Sequence, residues 1–138
     1  MKNLLVSALF VLPFTATGGE LTTEIKPNSV PCPPEFMIET NATVKALTEA
    51  THKLKDAMIN LREQKITKTE FRPALEAQLE PIQKCKDYEE KWGSIVCHGK
   101  NLKGNQANLS SATVIVKQAC DINKDRYDKM SRDPKYTD

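Results

Sequence analysis

Four cysteines, Cys32, Cys85, Cys97 and Cys120, are the residues of this chain best suited to chemistry. In an oxidising compartment they pair as two disulfides. The alternative is a zinc site built from Cys85, Cys97, His98 and Cys120. Zinc is disfavoured, because no C-x-x-C pair exists and exported thiols oxidise. Asp121, Asn123 and Asp125 open like a calcium loop, but Arg126 replaces its glycine and Arg132 its final glutamate. Glu89 and Glu90 are adjacent carboxylates, and adjacent side chains diverge on a helix. His52 and His98 have no evident acid or nucleophile nearby, so general acid–base catalysis lacks a candidate. No phosphate loop, nucleophile elbow or H-E-x-x-H motif occurs. These observations point to a non-enzyme with no cofactor, no metal and no catalytic residue.

The cysteines follow an export signal. Lys2 is the sole charge before Glu20, and the apolar run Leu4–Phe14 lies between them. Ala16, Thr17, Gly18 and Gly19 supply the small residues that a signal peptidase reads. Cleavage is expected after Gly18 or Gly19. The apolar run falls well short of the ~20 residues needed to span a bilayer. The chain is therefore expected to be secreted or periplasmic, with no stable membrane insertion. The formal net charge is +2, which gives no electrostatic reason to expect nucleic acid or an acidic membrane as partner. Hydrophobic residues make up 39% and charged residues 28%, a balance that suits one folded domain rather than a disordered chain.

The elements that must position the cysteines are helical. Residues 1–19 are the signal. Residues 20–34 carry prolines at 27, 31, 33 and 34 and read as an extended arm. Residues 35–131 form the bundle, and the tail 132–138, with Pro134, is expected to fray. Within the bundle, Val44, Leu47, Thr51, Leu54, Met58 and Leu61 recur at spacings of 3, 4, 3, 4 and 3, a helical seam over 35–65. Pro33 or Pro34 suits its first turn. Thr67 and Glu70 fit a capping box opening a second helix. Its inner face is Phe71, Leu75, Leu79, Ile82, Cys85, Tyr88, Trp92 and Ile95, continuing to Cys97-His98 with Gly99 as its cap. Pro73 is expected in the first turn, and Pro81 should kink or split this helix. Residues 99–108 read as a surface loop. A third helix starts near Asn108, Ser110 or Ser111 and turns Val116, Cys120, Asn123, Tyr127 and Met130 inward. Residues 112–116 fit either helix or strand, because Thr113–Val116 are all β-branched.

The fold class is thus all-α: a small, disulfide-stapled, antiparallel bundle of three main helices. Spacing alone leaves three connectivities for four cysteines. Helix levels discriminate among them. With helices running up, down and up, Cys32 and Cys97 share the bundle's base. Cys85 lies ~18 Å above that base and Cys120 ~16 Å above it. The predicted pairs are Cys32–Cys97 and Cys85–Cys120.

The favoured function is an exported protein-binding module: an inhibitor, immunity factor, chaperone or envelope or secretion accessory, with another protein as partner. The alternative is a carrier holding a small apolar ligand among Met37, Met58, Phe71, Tyr88 and Trp92. Asn41-Ala-Thr43 and Asn108-Leu-Ser110 match the glycosylation pattern, which matters only in a eukaryotic secretory pathway.

Overall fold

The computed structural model describes residues 28–101 and 103–138, so the expected export signal and most of the expected proline-rich arm lie outside the described residues. The described residues form four helices and a small sheet: α1 (Pro34–Arg62), α2 (Lys68–Glu76), α3 (Leu79–Trp92) and α4 (Ser111–Met130), with β1 (Val30–Pro31), β2 (Cys97–Lys100) and β3 (Gln106–Asn108).

The first seam becomes α1, with Pro34 in its first turn. Its buried face is wider than the heptad, taking in Phe36, Thr40, Thr43, Leu47, Ala50, Thr51 and Leu54. Two of these threonines keep their hydroxyls satisfied by bonding back one turn. Thr40 Oγ1 donates to the Phe36 carbonyl at 2.7 Å, and Thr43 Oγ1 to that of Glu39 at 2.8 Å. The helix ends in a Schellman motif. Lys65 N–H bonds the Asn60 carbonyl, Gln64 N–H bonds that of Leu61, and Gln64 holds φ at 60°. A side chain in this left-handed region is strained. Gln64→Gly is therefore expected to raise stability by about 1 kcal/mol, read from the urea midpoint at unchanged slope.

The second seam divides. The Thr67–Glu70 capping box is present and opens α2. Pro73 sits inside α2 rather than in its first turn. The break falls at Ala77–Gln78, just before Pro81, whose ring would collide with the Ala77 carbonyl in a continuous helix. Gln78, 1% exposed, fastens this break to α1 by donating from Nε2 to the Ala50 carbonyl at 2.8 Å.

Four further expectations need correction. The second helix does not reach Cys97; it stops at Trp92, and Cys97–Lys100 form a strand. Gly99 is no helix cap. It lies in β2, where an added Cβ would come within 2.9 Å of the Leu109 side chain. Residues 99–108 are a hairpin rather than an open loop, with His98 opposite Asn108. Its turn is organised by Asn101 Oδ1, which accepts from the backbone of Lys103 and Asn105. The arm adds β1 in parallel to β2, Val30 opposite Cys97, so the fold is helical with a small three-stranded sheet at one end. The tail does not fray: Tyr136, 9% exposed, stacks on Phe71 at 5.6 Å between ring centroids. Residues 112–116 are helical and belong to α4.

Both predicted disulfides are present. Cys32–Cys97 ties the arm to β2 with a Cα separation of 4.8 Å, and Cys85–Cys120 ties α3 to α4 at 5.9 Å. The core divides into two clusters. One gathers Phe36, Tyr88, Trp92, Cys97, Ala107, Leu109, Ala112 and Val116. The other gathers Leu54, Phe71, Leu75, Met130 and Tyr136. At the level where α1 passes between them lies a polar layer. Thr51 Oγ1 donates to Asn123 Oδ1 at 3.0 Å, and Arg126 Nη2 donates to Thr51 Oγ1 at 2.7 Å and also to Asn123 Oδ1.

Candidate functional site

The four cysteines that opened the sequence argument have no thiol left to offer, since all are bonded in pairs. That removes the zinc reading. Asn123 is turned into the core and Asp125 pairs with Lys129 at 2.9 Å, so the calcium-like run does not converge on a point. Glu89 bonds Lys117 at 3.1 Å across two helices, and Glu90 is exposed. Ser29 Oγ lies 3.0 Å from His98 Nδ1, where the arm meets β2. Among the described residues no carboxylate is bonded to that ring, and no group of three or more His, Cys, Asp or Glu is placed to hold a metal ion.

The five residues proposed to line a ligand cavity do not converge. Tyr88 and Trp92 belong to the first cluster with Met37 against it, whereas Phe71 belongs to the second with Met58 against it. Their polar atoms serve the fold. Thr40 spends its proton on Phe36, so the Tyr88 hydroxyl donates to Thr40 Oγ1 at 2.7 Å. Burial pushes the Tyr88 phenol up, and the bond to Thr40 acts the other way. Trp92 Nε1 donates to Glu39 Oε2 at 2.9 Å, and Lys91 bridges the same carboxylate at 3.0 Å. Of the glycosylation candidates, Asn41 is exposed on α1. Asn108 is 5% exposed, and its Oδ1 accepts from the backbone N–H of Ser110, so the folded chain does not present it.

What sequence reasoning missed is a cleft between α3 and α4. The Cys85–Cys120 bridge draws the two helices together. One turn further along α3, Tyr88 meets Val116 of α4, and these groups floor a cleft of about 90 Å³. Gly93, which ends α3, and Thr113 close one end. Val114 stands at its mouth with 54% of its surface in water. The rim is the Glu89–Lys117 pair, whose carboxylate raises the Lys117 ammonium above its ordinary range. The volume is well under the ~300 Å³ at which small-molecule sites begin. It suits one apolar side chain approaching from outside, with a hydrogen-bonding rim around it.

Each wall of the cleft has a local cause. The disulfide fixes the helix separation, and the helical spacing of Cys85, Tyr88 and Glu89 brings three different chemistries to one strip of α3. Val114 is exposed because its neighbours Thr113, Ile115 and Val116 are the ones that face inward. The β-branched run that left this segment open between helix and strand is what puts an apolar side chain on the rim. Among the described residues no helix is long and apolar enough to cross a membrane. No known protein family, curated protein or solved structure matches the chain.

Proposed function

We propose that this chain is an exported, non-enzymatic protein-binding module, and that the α3–α4 cleft takes an apolar side chain of its partner. The observation that carries the reading is Val114, an exposed valine at the mouth of a cleft floored by a disulfide and a buried tyrosine. Floors of this kind do not rearrange on binding, so little ordering cost opposes association. The apolar mouth supplies burial, and the Glu89–Lys117 rim supplies register. Export is supported by the apolar leader after Lys2 and by the two disulfides, which persist in oxidising compartments. The partner is another protein of that compartment. The class covers inhibitors, immunity factors, chaperones and envelope or secretion accessories.

The experiment is a comparison of the wild-type chain with Val114→Arg as bait in the envelope and surroundings of the producing cell. Arginine at 114 fills the mouth with charge and leaves the core untouched. A protein retained by the wild type and reduced at least tenfold with V114R, at equal melting temperature, supports the reading. Equal retention by both baits contradicts it. A small apolar molecule released from the wild type in native mass spectrometry would restore the carrier reading instead.

A further inference from the structure

We propose that residues 131–138 are a displaceable strap, closed over an apolar groove that accepts an aromatic residue followed two positions later by an acid. The groove is formed by Leu54 of α1, Phe71 and Leu75 of α2 and Met130 of α4. Its present occupant is Tyr136, stacked on Phe71 with an interplanar angle of 27°. Two positions on, Asp138 meets Arg72 at 3.8 Å, and both side chains are more than half exposed. Lys68 Nζ donates to the Pro134 carbonyl at 2.5 Å from an exposed position. The occupant therefore states what the groove recognises: a ring for Phe71, a carboxylate for Arg72 and a carbonyl for Lys68.

Three features make the strap removable. Among the described residues its backbone hydrogen bonds are all local: Tyr136 and Thr137 both donate to the Asp133 carbonyl, at 3.0 and 3.1 Å. No backbone bond joins it to α1 or α2, so lifting it leaves no long-range ladder broken. Both disulfides fasten the other half of the molecule, around Cys97 and around Cys85–Cys120. Apart from the Tyr136 ring itself, the strap's anchors to the rest of the molecule are exposed polar contacts, which hold weakly in water. A segment of another protein with the same aromatic-and-acid pattern would displace the strap and occupy its groove. This inference stands independently of the α3–α4 cleft, which lies on the disulfide-bound half.

Two measurements decide it. In the wild-type chain, hydrogen exchange of the Tyr136 and Thr137 amides should be unaffected by low urea, while that of the Val116–Cys120 amides slows or quickens with global stability. Second, a labelled synthetic peptide of residues 131–138 should bind the full chain carrying Tyr136→Ala at least tenfold more tightly than it binds the wild type. The same peptide with alanine in place of its tyrosine should bind neither. Strap amides that share the urea dependence of α4 would overturn the proposal, as would a folded Y136A chain that takes up no peptide. If Y136A fails to fold, the exchange experiment on the wild type decides alone.

Discussion

Replacing Cys85 and Cys120 together by alanine is expected to lower stability by about 4 kcal/mol and to open the α3–α4 cleft. The two bridges close stretches of 65 and 35 residues, for which loop-closure entropy gives about 4 kcal/mol each. A domain of this size has only ~5–15 kcal/mol in total, so either loss is large. The bridges differ in what they hold. Cys97 is fully buried in the first cluster, and its partner Cys32 follows the exposed two-residue strand β1, which otherwise holds to β2 through a short parallel pairing. Loss of that pair should free the arm and expose β2 while α3 and α4 stay together. Loss of Cys85–Cys120 should leave the sheet intact and separate the walls of the cleft. The loops overlap in the chain, so removing all four cysteines should cost less than the sum of the two pairs. Urea unfolding of the two double variants and the quadruple variant measures all three quantities.

Arg126→Met is expected to stabilise the protein by ~1–3 kcal/mol. Arg126 lies in the polar layer with Nε and Nη1 buried and without a hydrogen-bond partner. Burial draws the guanidinium down to about 10, and among the described residues no carboxylate is paired with it. The folded state thus holds this proton less tightly than the unfolded state does. The cost is therefore present at every pH below about 10 and is relieved only as pH rises through that value. Methionine keeps the stem's packing and removes the charge. The groups left behind remain satisfied, because Thr51 still donates to Asn123 Oδ1 and Asn123 Nδ2 donates to the Ala119 carbonyl at 2.7 Å. Thermal melts of R126M near neutral pH give the sign. A lower melting temperature would show that the cation is compensated and that the polar layer depends on it.

Helical order was readable in the residues because it is local. The seam from Val44 to Leu61 marks α1, Thr67 and Glu70 mark the start of α2, and Pro81 marks the break before α3. Both cysteine pairs followed from placing residues by height, although one premise failed. The spacing predicts Cys97 at the foot of a long helix, whereas it lies on β2, which returns it to the same end of the molecule. The sheet was not readable. Cys97–Lys100 and Gln106–Asn108 have neither alternation nor β-branched enrichment, and β1 reaches β2 only through a long-range parallel pairing. Tyr136 follows Pro134, which reads as the end of structure. Its partner Phe71 is remote in sequence, and no local pattern signals a stack between them. The helical spacing turns Asn123 inward, where it is buried, but Arg126 stands out in the sequence only as the residue that breaks a calcium-like loop. A single arginine carries no sign of burial until its helix has been packed. The cleft likewise depends on two helices meeting, and Val114 had no role until α3 was set beside it.

The central claim is that the Val114 face of the α3–α4 cleft is where this chain meets its partner. The most direct measurement places a photoreactive amino acid at position 114 of the chain in its producing cell, with position 53 on the exposed face of α1 as the control. A discrete protein adduct from 114, absent from 53 and suppressed by excess wild-type chain, is the predicted result. No adduct from 114, or the same adducts from both positions, would contradict it.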